Sequence, residues 1–446
     1  MKAARSIVPL LLVGIIAIGA GIWFWLESSG EKEDPAKQPE LPAPAAGQPE
    51  PKGGTTPTPP VPPKRPPLSD LAEVPDWNEL NRWQSTVTRS EFTSMLQEVF
   101  TVSPAWRQWF HIGESDVLIE TGVPDERFRL RFAKPGLASE NPRDWRAAAE
   151  LGPAPPGLPL DGLRIAIDPG HIGGPWAKIE ERWFQIDSEI PVKEGDLTLL
   201  VAQLLKPRLE ALGAEVELVR ESTEPVTDYR PETLMEKARE MQPDTPRQLA
   251  ERLFYRTAEI RARADLVNRR LRPDLVLCLH FNAEGWGNPA KPTLVNRHHL
   301  HLLLNGAYTD DEVGLADQRY QIVRKIVEKI HPEETAVAKS VASRFVEASK
   351  LPPYLYEIDS RRAVNIDGNP YLWARNLLAN RLYNRPVVFL EPYVMNSKAD
   401  YARIQAGDFE GRRPVAGKPQ PSIFREYADA VAGGLADYYR DARPAG

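Results

Sequence analysis

Three short apolar runs in this chain end on residues that an apolar run has no reason to carry. "IAIDPGH" closes on His171, "LVLCLH" on His280 and "VVFLE" on Glu391. Runs of Val, Ile and Leu this short read as strands buried on both faces. Strands of that kind sit in parallel sheets covered by helices, where ligands bind outside the carboxyl ends of the strands. In the first run, Asp168-Pro169-Gly170 is turn chemistry, so the chain leaves the sheet sharply and presents His171 at the rim. Two imidazoles and a carboxylate are therefore delivered to one sheet edge. The carboxylate needs a partner there, because burying an unpaired charge is costly.

The surrounding pattern supports such a sheet. From Asp161 onward, strands alternate with helices. "DLTLLVAQLLKPRLEALG" has helical spacing, with a kink expected at Pro207 and an end at Gly213. "AEVELV" is a strand, "RQLAERLFYRTAEIRARADLVNRRL" a long helix and "SIFREYADAVAGGLADYYR" a closing helix. The expected fold class is α/β, a mostly parallel twisted sheet flanked by helices, over residues 161–442.

What precedes it is of three kinds. Residues 1–6 carry Lys2 and Arg5, and Ile7 to Leu26 form an apolar run ending in Trp23, Phe24 and Trp25. That length spans a bilayer, and basic residues before it with acidic ones after it place the N-terminus in the cytoplasm. The expectation is a single-pass anchor at 7–26 in the inner membrane, with the bulk outside, in the periplasm or extracytoplasmic space; the alternative is a cleaved signal peptide. Residues 27–67 are a Pro-rich tether that cannot bury a core. Residues 68–150 read as a small α+β domain, with Thr88 or Ser90 capping a helix and "DVLIET" and "RFRLRFA" as strands. Its tryptophans Trp77, Trp83, Trp106 and Trp109 are expected in its core rather than on a sugar-binding face.

Charge and cysteine content narrow the chemistry. The net charge is −6 and no basic patch stands out, which argues against a nucleic-acid partner. Cys278 is the single cysteine, so neither an intramolecular disulfide nor a Cys-rich zinc site is available. A metal would need His and carboxylate ligands. Hydrolytic zinc sites commonly use three protein ligands, two His and one Glu being one such set. The third ligand beside His171 and His280 is open among Glu180, Glu181, Glu189, Glu194 and Glu391. Glu194 stands just before a helix, in the kind of loop where site residues gather. "RHHLHL" adds His299 and His301, two apart on one strand face; this spacing suits a metal or merely a polar strand face.

Residues from about 163 to 440 resemble the zinc-dependent N-acetylmuramoyl-L-alanine amidases, hydrolases of peptidoglycan. "IAIDPGHIGG" is similar to that family's opening motif, "EGDLTLLVAQLL" to its Glu leading a helix, and "EVELVR" to its strand ending in Arg, at Arg220. "RADLVNRRLRPDLVLCLHFNA" resembles the segment with the last ligand and "PVVFLEPYVMNS" the closing motif. The resemblance implies Zn²⁺ held by His171, Glu194 and His280, with Glu391 catalytic. It also implies cleavage of the amide between N-acetylmuramic acid and L-alanine in cell-wall remodelling. Asp168 or Asn282 would orient a ligating imidazole.

The chain departs from the family's pattern in places. The gap from His171 to Glu194 is long, Thr198 stands where the family often has Asn, and the strand after Ala283 lacks the usual Gly-Val-Glu. Large insertions fall near 222–250 and 305–365. Two other readings stay open on these residues: a zinc hydrolase of another envelope amide on the same scaffold, and an inactive envelope-binding protein. A regulatory envelope partner is compatible with any of the three.

Overall fold

Consecutive apolar runs with both faces to cover can be satisfied only by a sheet lying between helices. The computed structural model describes residues 66–357 and 361–445. The expected anchor at 7–26, the stub before it and the tether up to 65 lie outside the described residues. Among the described residues, no helix is long and apolar enough to cross a membrane.

A three-stranded antiparallel sheet comes first: β1 (Phe110–Ile112), β2 (Asp116–Glu120) and β3 (Arg127–Arg131). Then follow β4 (Arg164–Pro169), the hairpin β5 (Trp183–Phe184) and β6 (Val192–Lys193), and α1 (Glu194–Ala211). After β7 (Glu215–Leu218), a helical stretch over 246–271 contains α2 (Glu259–Asp265). Next are β8 (Leu275–Leu279), β9 (Leu300–Leu304), α3 (Ala316–Val327) and α4 (Ile330–Ser349). The chain finishes with β10 (Val364–Asn365), β11 (Leu372–Ala374), β12 (Val387–Pro392) and α5 (Ile423–Ala442), among shorter elements.

The central sheet has the order β10-β11-β9-β12-β8-β4-β7. β7, β4, β8 and β12 are mutually parallel, and β9 runs antiparallel to β12. The start of β9 therefore lies at the edge where β4, β8 and β12 end. Leu277, Leu279, Val388 and Leu390 face a core shared with α1, α4 and α5. Their alternates Cys278, Val387 and Phe389 face Ala264 and Val267 of the 246–271 helix. The fold is thus the expected α/β layer with a mostly parallel sheet.

Local chemistry explains two further features. α1 continues through Pro207 as one element. Pro207 and Gln203 are both exposed, so water can satisfy the Gln203 carbonyl that Pro207 leaves without a donor. The stretch 316–349 inside the expected insertion forms α3 and α4. α4 presses so closely on α5 that a Cβ at Gly434 would lie 2.5 Å from the Val341 Cα.

Residues 76–150 pack on the sheet edge opposite to the strand ends that carry His171, His280 and Glu391. Trp77, Trp83 and Trp106 are buried in the same continuous core as the main sheet, and Trp109 packs against it. Backbone bonds from Ala307 N to Val99 O (2.7 Å) and Tyr308 N to Phe100 O (2.7 Å) fasten the loop after β9. The buried Asp274, just before β8, is the strongest tie. Its carboxylate accepts from the backbone N, Nε and Nη2 of both Arg146 and Arg164, at 2.7–3.3 Å.

The Asp274 carboxyl is held below its ordinary pKa: burial alone would raise it, but these hydrogen bonds lower it. A depressed carboxylate contributes stability that is complete above its unfolded pKa and is lost as pH falls through the folded one. Asp274→Asn should therefore cost about 3 kcal/mol at pH 7 in urea unfolding, the usual result of breaking one side of a buried pair. The deficit should shrink below about pH 4, where wild type begins to lose the same charge. An unchanged midpoint at pH 7 would contradict this role.

Candidate active site

The site begins with the turn after β4. Pro169, Gly170 and His171 leave their carbonyls without strand partners, and His171 sits at φ +58°, a strained backbone for a residue with a side chain. Two buried arginines hold this turn. Arg263 donates to the carbonyls of Pro169 and His171, both at 2.8 Å, and to Asp168 Oδ1 at 2.8 Å. Arg220, just past β7, donates to Pro169 O (2.9 Å) and Gly195 O (2.6 Å). Thr198, in the place of the family's frequent Asn, donates to Gly170 O at 2.7 Å. Asp168 is thus tied to Arg263 and to the Tyr383 hydroxyl (2.5 Å), not to an imidazole.

Gly170 has a second reason to be glycine. A Cβ there would lie 2.2 Å from His280 Cε1, so the imidazole occupies the space a side chain would fill. His280 follows β8, and its ring stacks on Phe389 of β12 at 4.2 Å and 14°. The loop 172–181 and the β5–β6 hairpin fill the long gap after His171 and return the chain at Glu194, the first residue of α1. Gly195 lets that helix start touch the turn, since a Cβ would come within 2.3 Å of Gly173 N.

His171, Glu194 and His280 converge, with one potential ligand atom from each lying within 4.8 Å of the others. Glu194 is 2% exposed. Its carboxylate lies 3.2 Å from His171 Nε2, 3.0 Å from His280 Nδ1 and 3.1 Å from Arg182 Nε. Burial would raise its pKa, yet the two imidazoles hold it well below the carboxylate range. Burial likewise acts against charge on His171, but Glu194 and Glu180 outweigh it and raise the ring to about 9. Two imidazole nitrogens and one buried carboxylate match the donor chemistry of a hydrolytic zinc site.

The rival carboxylates have other places. Glu180 accepts from Ile172 N (2.7 Å) and Gly173 N (2.8 Å) and lies 3.5 Å from His171 Nδ1, which turns Nε2 toward Glu194. Glu189 accepts from the Tyr401 hydroxyl at 2.6 Å, and Glu181 faces Arg256 at 3.8 Å. Asn282 is not turned to a ligating ring but has its Nδ2 3.0 Å from His301 Nε2. His299 and His301 are buried at the start of β9, outside the three-residue cluster.

Glu391 is half-buried near the end of β12, one position past the Leu279–Leu390 register pair, which puts it beside His280. It shares a sheet face with Phe389 and therefore with the His280 ring. Burial first, and then the Glu194 charge, push its carboxyl up to about 8. Sequence reasoning offered Glu180 only as a rival ligand, and it did not identify Arg182 and Arg263 as parts of the site. Only the Glu259–Arg263 pair, four apart on a helix, left a visible sign.

Comparison with known proteins fits this geometry. Among curated proteins none matches the chain. Among solved structures it is similar to the N-acetylmuramyl-L-alanine amidase Ami1 from Mycobacterium smegmatis, with 17% identity and a TM-score of 0.36, covering 63% of this chain and 99% of that one. It is similar to AmiC2 of Nostoc punctiforme, with 15% identity and a TM-score of 0.33, covering 63% and 98%. A third is the CwlD amidase from Clostridioides difficile, solved in complex with the GerS lipoprotein, with 13% identity and a TM-score of 0.34, covering 61% and 96%. The family model described as N-acetylmuramoyl-L-alanine amidase matches residues 165–412, more than half of the chain. The chain belongs to the N-acetylmuramoyl-L-alanine amidase family.

Proposed function

We propose that this amidase is zinc-dependent and hydrolyses the amide between N-acetylmuramic acid and L-alanine, with His171, Glu194 and His280 as metal ligands and Glu391 as general base and acid. The observation that carries the reading is the convergence of the three ligand side chains at the strand ends, with the half-buried Glu391 carboxylate beside His280. Zinc bound there would polarise the scissile carbonyl and ease deprotonation of the attacking water.

The protein's own groups do the rest. Glu180 fixes the His171 ring through Nδ1, leaving Nε2 free for the metal side. Glu391 takes the proton of the attacking water and passes it to the leaving amine of L-alanine. Arg182 lies 3.1 Å from Glu194 and holds that carboxylate in place.

We further propose that the apolar run 7–26 anchors the protein in the inner membrane, with the enzyme on the peptidoglycan side. The length of the run and its flanking charges support this. Recovery of the intact N-terminal peptide, including Trp23 to Trp25, from membrane fractions is the expected result. A soluble mature protein beginning near Glu27 would overturn it.

Elemental analysis of residues 66–446 should give about one zinc per chain. His171→Ala or His280→Ala should abolish it, and Glu180→Gln should weaken zinc affinity roughly ten- to a hundredfold. Stoichiometric zinc in the double histidine variant would remove the ligand assignment.

Glu391→Gln should keep zinc and melting temperature while turnover on purified peptidoglycan falls by about 10²–10⁴. Release of stem peptides with a free L-alanine amine is the readout. If turnover survives with zinc in place, Glu391 is not the base; if zinc is lost with it, Glu391 is a ligand.

A further inference from the structure

The row of side chains that begins with His280 and Glu391 does not stop there. Glu391 pairs directly with His301 across the antiparallel β12–β9 ladder, so the two side chains share one sheet face. Segment 352–354 then continues the sheet at this edge, through Leu300 N to Pro352 O (2.9 Å) and Tyr354 N to Leu300 O (3.1 Å). These pairings gather aromatic rings beside the proposed base. Tyr354 lies 4.8 Å from both His299 and His301 and 4.7 Å from Tyr356, and Tyr356 lies 4.8 Å from Trp373 on β11.

Exposure divides these rings into two layers. His299 and His301 are buried, whereas Tyr354, Tyr356 and Trp373 are half-exposed at the edge. The buried layer fixes the outer one. His301 is held between the Asn282 amide (3.0 Å to Nε2) and the Tyr356 hydroxyl (3.3 Å to Nδ1). The outer rings are thus a preset platform, which reduces the ordering cost of binding. Charges of both signs surround the rings, with Glu284, Glu357, Arg297 and Arg375 near Tyr354 and Glu391 near Tyr356. A surrounding of mixed charge with partly exposed aromatic rings suits a neutral ring with apolar C–H faces and hydroxyl groups. It does not select the stem peptide, whose carboxylates call for net positive charge.

We propose that Tyr354, Tyr356 and Trp373 form a subsite that binds a neutral N-acetylated sugar ring of the glycan strand next to the scissile amide. The proposal rests on the amidase reading. The platform comes largely from residues 305–365 and the altered strand after His280, where this chain departs from the family's pattern, so it sets the specificity of this chain.

The test compares two soluble substrates, a stem peptide on a single N-acetylmuramic acid and the same peptide on a tetrasaccharide. Tyr354→Leu and Trp373→Leu keep apolar volume but lose the stacking face; Tyr354→Phe keeps it. For the tetrasaccharide, each Leu variant should raise KM about tenfold with kcat within about twofold of wild type, and the Phe variant should behave as wild type. KM for the single-sugar substrate should move less, since it offers fewer rings to the platform. Unchanged KM in folded, active Leu variants overturns the subsite, as does an equal loss with Tyr354→Phe. If wild type cleaves neither substrate, it is the amidase reading that fails. The subsite is then judged by calorimetric binding of the peptide-free tetrasaccharide to Glu391→Gln. Binding that Trp373→Leu abolishes supports it, and absence of binding overturns it.

Discussion

The catalytic edge depends on two guanidinium groups buried under one turn. Where β4 ends, three successive carbonyls have no strand to bond and His171 has a backbone conformation that costs energy. Arg263 and Arg220 supply the missing donors from two different elements. The Arg263 charge is then balanced: it faces Asp168 at 2.8 Å and Glu259 at 2.7 Å, and Asp168 also accepts from Tyr383. A buried network of this kind contributes less to net stability than to a unique geometry, since desolvating the charges offsets much of their attraction. Here the geometry it fixes is the direction of the His171 ring.

The opposite edge of the sheet is braced by a different charge, Asp274, which receives two forked guanidiniums and two backbone amides. One of those arginines belongs to the segment that precedes the sheet and the other to β4 itself. β4 is therefore pinned at its start by Asp274 and at its end by Arg263 and Arg220. A strand held at both ends carries little freedom to its last residue, which favours a site whose groups must keep their mutual distances. The residues before Arg164 act in this arrangement as a structural brace, with their tryptophans spent on the shared core.

The sheet, its flanking helices and the convergence of His171, His280 and Glu391 were legible in the sequence. They follow from runs of adjacent residues: apolar strands, turn chemistry and a polar residue at each strand end. Glu194 was one of five candidate carboxylates on the residues alone, and the family resemblance singled it out. What was not legible depends on contacts between distant residues. Glu180 looked like a rival ligand because its type and position allow it; only the fold shows its carboxylate occupied by two backbone amides and the far side of the His171 ring. For His299 and His301 the spacing left a metal pair open beside a polar strand face, because spacing on one strand says nothing about the aromatic segment that packs over it.

The family match runs from 165 to 412, yet the core that closes over one face of the sheet includes α5, which begins at Ile423, and the tryptophans before Ala148. A gene fragment cut to the matched span would leave Leu277, Leu279 and Val388 facing water across a surface that α5 and the brace normally cover. Inheritance and self-assembly thus draw different borders on this polypeptide. The shorter stretch bears the family match, and the longer one closes the core.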